Sequence, residues 1–422
     1  MEVSMESTFL SSIEEKVLYS EIVKLKKRTC ILAITEQRMI LNYCKSTKDC
    51  PWTDVIGAII LNPGKKHKKV HVVWYKKVNQ TRKIKKFDLV SEDPEKLIKY
   101  LQGMAYTYNL PEVYESSYIK RFKVIINPNS GRGLSRRIWA QVADLFEVCE
   151  VSISYTERRN HATEIVTELV LTDYDGLIVV SGDGLVHEVI NAICKRDDGD
   201  LARMFPVSVI PAGSANALAQ VICDKSGEKV TPENCALIAI KGRSSPFDIS
   251  LVKFASGSIV YSFLSIFWAF IADVDIGSEN CRCCGACRFD LYGFWRVLAL
   301  RRYSGTITWD EGEYTGNIVY FNACNTPYIG EGMHNAPNAQ INDGMNDLLL
   351  LGDVGRMALV RVLLRQDAGT HLSSPDLKYI KTKKWTLDPG QRPGILSIDG
   401  ELFNSEPIEV ECLQNYATVF LL

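Results

Sequence analysis

Residues 177–188 read Leu177-Ile178-Val179-Val180-Ser181-Gly182-Asp183-Gly184-Leu185-Val186-His187-Glu188, an apolar run that ends on an acid fenced by two glycines. The pattern is that of a buried strand, a tight turn and the start of a helix. One reading is structural: the glycines take backbone angles other residues avoid, and Asp183 caps the helix that follows. The other is functional: with side chains stripped away, a phosphate can approach the backbone and one carboxylate stands beside it. A single glycine turn supports either.

The flanking sequence repeats the pattern. Phe122-Lys123-Val124-Ile125-Ile126 reads as a strand and is followed by Asn127-Pro128-Asn129-Ser130-Gly131-Arg132-Gly133 and a helix ending near Glu147. Val151 to Tyr155 reads as a second strand, with a helix from His161 to Leu171. Pro206 to Ile210 is a fourth, ending on Pro211-Ala212-Gly213-Ser214-Ala215-Asn216. Alternating strands and helices with short links imply a parallel sheet with right-handed crossovers. In such a sheet the strand C-termini share one edge, so three glycine turns converge where these folds bind ligands. Exposed amides and helix N-termini at that edge suit a polyphosphate. The first turn is neither Gly-x-x-x-x-Gly-Lys-Ser/Thr nor Gly-x-Gly-x-x-Gly, so a P-loop is excluded and a dinucleotide site disfavoured. The residues by themselves lead to a nucleotide-phosphate site with a lone carboxylate.

On either side of this core the pattern changes. Before residue 111, Cys30–Ile34, Arg38–Tyr43, Val70–Tyr75 and Lys83–Leu89 read as short strands, closed by a helix that Asp93 caps and Pro94 begins. Several strands with one closing helix suggest a pleckstrin-homology-like unit. Beyond about Ser245 strands dominate again and a mainly antiparallel unit is expected. The division is therefore 1–111, 119–245 and 246–422, in keeping with a chain of 422 residues.

Composition narrows the function classes. An apolar fraction of 46% and a net charge of −1 describe a globular protein and argue against a nucleic-acid binder. Locally, ten Lys or Arg and no acid lie between Lys65 and Lys86, a stretch suited to an anionic membrane surface. The run from Ile259 to Ala272 is 14 residues, too short for a spanning helix, and fits a buried or lipid-lining segment. The N-terminus lacks a signal-peptide pattern, and 13 cysteines then read as free thiols in the cytoplasm. Cys284 and Cys287 form C-x-x-C with no second ligand pair at zinc spacing, so no metal site is expected there.

Ile126-Asn127-Pro128, Thr156-Glu157-Arg158-Arg159-Asn160-His161-Ala162, Ser181 to Glu188 and Pro211 to Leu218 together resemble the catalytic core of the diacylglycerol-kinase superfamily. The threonine-to-alanine segment, Phe270-Ile271-Ala272-Asp273-Val274-Asp275 and Asp399-Gly400-Glu401 are similar to those of its sphingosine kinase branch. The likeness runs from Phe122 to the C-terminus, with the motifs in family order. Two departures are mild: Asn-Ser-Gly-Arg-Gly stands where a glycine pair is frequent, and Ala215 where glycine is.

The resemblance implies an α/β nucleotide-binding domain followed by an antiparallel β-sandwich for lipid. It implies ATP and Mg²⁺ as cofactors and a sphingoid base as substrate, phosphorylated on its primary hydroxyl at a membrane surface. Asn127, Pro128, Asn129, Thr156, Glu157, Arg158, Arg159, Asn160, Glu188, Gly213, Ser214 and Ala215 are assigned to ATP, with Arg282, Arg288, Asp399, Gly400 and Glu401 reaching it from the second domain. Asp183 is the expected base, with orienting the hydroxyl or holding magnesium as its alternatives. Ser181, Gly182 and Ser265 adjoin the lipid head, Asp275 (or Asp273) faces its amine, and His371 lies by the entrance. His187 is expected to pack or hydrogen-bond. Ceramide or diacylglycerol as substrate, and a non-catalytic binding module, remain the alternatives.

Overall fold

The computed structural model describes residues 2–26, 28–43, 46–62, 68–78, 81–107, 118–278, 287–391 and 393–422. They form two compact units, Met1–Phe122 with Val142–Val151, and Lys123–Gln141 with Ser152–Leu422.

The first unit is a seven-stranded antiparallel sheet in the order Ser46–Pro51, Arg38–Tyr43, Arg28–Thr35, Val17–Leu25, Thr81–Val90, Lys69–Val78, Val55–Leu61. The expected helix spans Pro94–Thr107, and Asp93 Oδ1 accepts the Lys96 amide at 3.0 Å, which is the predicted cap. Leu97, Leu101 and Met104 of that helix pack on Val23, Leu32, Met39, Trp52 and Val72. Three strands join the four read from sequence. Ser46–Pro51 was illegible because only Cys50 of its six residues is buried.

In the second unit, five strands lie in the order Glu150–Tyr155, Arg121–Ile126, Gly176–Ser181, Val207–Pro211, Ile408–Leu421. Gly176–Ser181 and Val207–Pro211 pair in parallel, Leu177 opposite Val207 and Ser181 opposite Pro211. All of Leu177 to Val180 are fully buried, as expected of a strand covered on both faces. The fifth strand comes from the chain's end: Val419 pairs in parallel with Val207, and the same strand runs antiparallel to Arg243–Phe254. One continuous sheet therefore joins the nucleotide-type fold to the sandwich.

The sandwich packs that sheet against a six-stranded one ordered Lys378–Thr382, Asn346–Leu351, Tyr320–Cys324, Ser265–Ala269, Leu396–Ile398, Glu401–Phe403. Ile266, Trp268, Phe321, Leu348, Leu350 and Ile398 face Val252, Trp385 and Val410 across the interior. The alternate residues Tyr320, Cys324, Leu349 and Leu351 face Phe270, Val274, Leu359 and Val362 of covering helices. Burial on both faces explains why Leu348–Leu351 is unbroken leucine. The apolar run from Ile259 to Ala272 is not one segment: it supplies strand Ile259–Ser262, strand Ser265–Ala269 and the start of helix Phe270–Gly277.

Candidate active site

The C-terminal ends of strands Arg121–Ile126, Glu150–Tyr155, Gly176–Ser181 and Val207–Pro211 open onto one cleft of about 970 Å³. Its floor is made by Asn127, Asn129, Ser130 and Gly131, by Thr156 to Arg159, by Ser181 to Gly184 and by Gly213 to Ala215. The convergence expected from the sequence is thus present. Of the two readings of the glycines, unusual backbone angles do not account for Gly182 and Gly213. Neither Gly182 nor Gly213 adopts a positive φ. A Cβ on Gly182 would lie 2.9 Å from the Gly213 Cα, and one on Gly213 would lie 2.4 Å from the Gly182 Cα. Close approach of two backbones, not turn geometry, excludes side chains here. Gly131, by contrast, has φ of +58°, and its Cβ would meet the Ala212 carbonyl at 2.4 Å. Ser130 Oγ donates to the same carbonyl at 2.9 Å, so the first and fourth loops are stitched together.

Asp183 is not the cap of its own helix. Gly182 occupies the N-cap and Asp183 is the first residue of helix Asp183–Cys194. Its carboxylate reaches across to a different helix, accepting the Ala217 amide at 2.9 Å and the Leu218 amide at 3.2 Å. Those amides begin helix Ala217–Lys225, whose N-terminal end favours a negative charge. Burial, the larger effect, pushes the acid upward while the two amides pull it down. The turn before Ala217 is locked by Asn216, at φ of +51°, whose Oδ1 accepts the Gly213 amide at 2.8 Å.

Of the residues expected at the nucleotide, Glu188 lines the cleft with Oε2 buried and, among the described residues, unpartnered; burial raises its acid. Arg159 pairs with Glu401 at 3.0 Å, which draws the Asp399-Gly400-Glu401 turn over the second loop. Arg158 pairs with Glu164 on the surface. Asn160 holds φ of +62° at the start of helix His161–Thr167. Pro128 lies between Asn127, whose Oδ1 accepts the Asn129 amide at 3.0 Å, and Asn129 itself. Arg282 lies outside the described residues, as do Cys281, Cys283, Cys284 and the side chain of Arg288. Among the described residues no three His, Cys, Asp or Glu side chains cluster as a metal site.

The opposite wall comes from the sandwich and is apolar at Leu264, Phe267 and Ile329. Ser265 lines the cleft, its Oγ buried and with no partner among the described residues. The two candidate acids separate cleanly. Asp275 lines the cleft and accepts from Ser397 Oγ at 2.7 Å. Asp273 is buried behind it, paired with the Arg296 guanidinium and accepting the Tyr303 hydroxyl at 2.7 Å. His371 is fully buried, with Nε2 2.7 Å from the Asn335 carbonyl, and does not line this cleft. Leu264, Phe267 and Ile329 carried no motif signal; only the apolar run containing the first two pointed toward them.

Residues 121–252 match the diacylglycerol kinase catalytic domain, and residues 276–421 match the YegS C-terminal NAD kinase beta sandwich-like domain. The chain is 32% identical over 343 residues to sphingosine kinase 1 of Homo sapiens, covering 70% of this chain and 89% of that one. It is 30% identical over 332 residues to sphingosine kinase 1 of Arabidopsis thaliana, covering 67% and 68%. It is also 30% identical over 339 residues to sphingoid long chain base kinase 4 of Schizosaccharomyces pombe, covering 69% and 72%. A crystal structure of a diacylglycerol kinase from Bacillus anthracis superposes with a TM-score of 0.53 at 18% identity, over 73% of this chain and 98% of that one, a likeness of fold.

Proposed function

The chain belongs to the sphingosine kinase family, a family of ATP-using lipid kinases, and we propose that its cleft transfers the γ-phosphoryl group of ATP to the primary hydroxyl of a sphingoid base. The observation that carries the substrate reading is the placement of three groups on one cleft: the Asp183 carboxylate, the Ser265 hydroxyl and the Asp275 carboxylate. The nucleotide phosphates lie along the backbone of Asn127–Gly131 and Gly213–Ala215, where glycine and small residues let a phosphate come close. The lipid hydroxyl is held by Ser265 Oγ, whose hydrogen-bonding capacity nothing else takes up among the described residues. Asp183 accepts the hydroxyl proton as the new oxygen–phosphorus bond forms and the β,γ-bridging bond breaks, leaving ADP. The amide pair from Ala217 and Leu218 keeps the carboxylate aimed without protonating it.

Asp275 pairs with the lipid ammonium, a charge-assisted contact for which Ser397 Oγ orients the carboxylate. Diacylglycerol has no amine and ceramide an amide, so this acid separates the sphingoid reading from both alternatives. Magnesium, bound chiefly by phosphate oxygens as is usual for this ion, takes at most one or two carboxylates. The Oε2 of Glu188, unpartnered among the described residues, suits one such position, and the ion when bound would neutralise phosphate charge.

The protein is proposed to act in the cytoplasm at a membrane surface, where its substrate partitions. Among the described residues no helix is long and apolar enough to cross a membrane. Helix Cys287–Leu298 exposes Leu291, Phe294, Trp295 and Leu298, each at least half accessible, an apolar patch suited to a bilayer. The basic stretch contributes less than its sequence suggests: Lys68 pairs with Glu95, Lys69 with Asp88, Arg82 with Asp54 and Lys86 with Glu147, while Lys65 and Lys66 lie outside the described residues. Transfer of labelled γ-phosphate to a panel of sphingosine, dihydrosphingosine, ceramide and diacylglycerol tests the proposal. Labelling confined to the two amines is expected; preferential labelling of diacylglycerol contradicts it.

A further inference from the structure

Asp183, His187 and Asn191 stand four residues apart on helix Asp183–Cys194, so they form one stripe, and all three are buried. Three buried polar side chains in a row on one helix call for three sets of partners. Asp183 has the amides of Ala217 and Leu218. Asn191 grips strand Ile259–Ser262: its Oδ1 accepts the Tyr261 amide at 3.0 Å, and its Nδ2 donates to the Tyr261 carbonyl at 2.8 Å. The Tyr261 amide fixes which end of Asn191 is Nδ2, which also donates to the His187 carbonyl at 3.0 Å and lies 3.3 Å from His187 Nε2. A carboxylate only accepts, so His187 Nδ1, 2.8 Å from Asp399 Oδ2, carries the proton of that hydrogen bond.

Asp399 in turn is saturated. Besides His187 it accepts from Ser262 Oγ at 2.7 Å and from the amides of Phe263, Leu264 and Ser265 at 3.1, 2.9 and 3.0 Å. Five donors exceed the roughly four lone-pair sites of a carboxylate, so none remains for a nucleotide. Its own amide donates to the Ser265 carbonyl at 2.9 Å, closing a two-point clamp on Ser265. The residue sits at φ of +52°, a conformation costly for any residue but glycine and held here by these bonds.

We propose that His187 is a positioning residue for the lipid hydroxyl: through Asp399 it fixes Ser265 at the cleft, so that one helix registers both the proton acceptor and the group that presents the hydroxyl to it. This rests on the sphingoid-kinase reading of the cleft. It moves Asp399 from the nucleotide to the lipid side of the site, and gives His187 a part in catalysis without contact to either substrate.

The test uses the full chain with His187 replaced by Asn, Gln or Ala, assayed against sphingosine and ATP. The amide nitrogen of an asparagine stands where Nδ1 stands, whereas that of a glutamine lies near Nε2. His187→Ala and His187→Gln should lower kcat on sphingosine by roughly 10–100-fold, the usual effect of small misplacement, with KM for ATP unchanged. His187→Asn should recover most of the loss. A merely space-filling histidine gives the reverse order, because glutamine fills more of the site than asparagine. Asp399→Asn should also cost less in the His187→Ala background than in the parent, since the two residues act as one unit. Normal kcat in the alanine and glutamine variants, glutamine matching asparagine, a parallel rise in KM for ATP, or strict additivity each overturns the proposal. Where His187→Ala fails to fold, the asparagine-against-glutamine order alone decides. A parent protein inactive on sphingosine overturns the substrate reading and this inference with it, whereas failure of the inference alone shows only in the variants.

Discussion

Gly182 and Gly213 pack backbone against backbone, so that a Cβ on Gly213 would lie 2.4 Å from the Cα of Gly182. The turn carrying Asp183 and the turn leading to Ala217 are thereby brought to the separation at which the Asp183 carboxylate meets the Ala217 amide at 2.9 Å. The glycines serve the acid by letting the loop that holds it come close.

Gly213→Ala should force the two turns apart. Overpacking of this kind costs about 1–3 kcal/mol, and the displaced amides should lower turnover as well. Gly355→Ala is the matched control, since a Cβ there meets nothing within 4 Å and its backbone is ordinary. Thermal melting and turnover of the two variants check this; equal behaviour would show that the close approach is not what matters.

Asp273 and Asp275 are two residues apart and should fail in different ways. Asp275→Ala removes a cleft carboxylate, so KM for sphingosine should rise much more than KM for ATP. Asp273→Ala leaves the buried Arg296 guanidinium without its partner and should cost about 3–5 kcal/mol of stability. Steady-state kinetics beside denaturant unfolding distinguishes them, and a stable Asp273→Ala with a selective sphingosine defect would exchange the roles.

Burial raises the Asp183 acid above its ordinary range, and a base acts only when deprotonated. Rate is therefore full above the folded-state pKa and lost as pH falls through it, and kcat/KM for sphingosine should show an acid limb above the usual carboxylate titration. A profile flat down to about pH 4 would contradict the assignment.

The parts legible in the sequence were those with local signals. The four strand ends and their turns, the Asp93 cap with Pro94, and the antiparallel character beyond residue 245 all follow from spacing and residue type. What sequence could not carry is long-range. Nothing in Ile408–Leu421 announces that it returns to pair with Val207. Asp273 and Asp275 look alike until Arg296 and Tyr303 close on one of them. The surroundings of His371 are equally illegible: its imidazole is buried against the Asn335 carbonyl, and burial lowers its pKa. The partners of Asp399 are hidden in the same way, since they arrive from residues more than 130 positions away.

Membrane contact should depend on the exposed face of helix Cys287–Leu298. Replacing Phe294 and Trp295 with serine should weaken sedimentation with lipid vesicles by roughly tenfold or more, given about 1.5–3 kcal/mol per large apolar side chain buried. Reversing Lys76 and Lys77 tests the basic stretch separately and should matter more at low salt. Vesicle binding unchanged by the serine pair would assign membrane contact elsewhere.

The most direct measurement is phosphoryl transfer to sphingosine by Asp183→Asn, read beside ATP affinity. The substitution keeps the shape of the side chain and removes the proton acceptor. Turnover should fall by roughly 10²–10⁴-fold with ATP binding retained, because the phosphates are held by other loops. Near-parental turnover, or loss of ATP binding in parallel with activity, would contradict Asp183 as the proton acceptor.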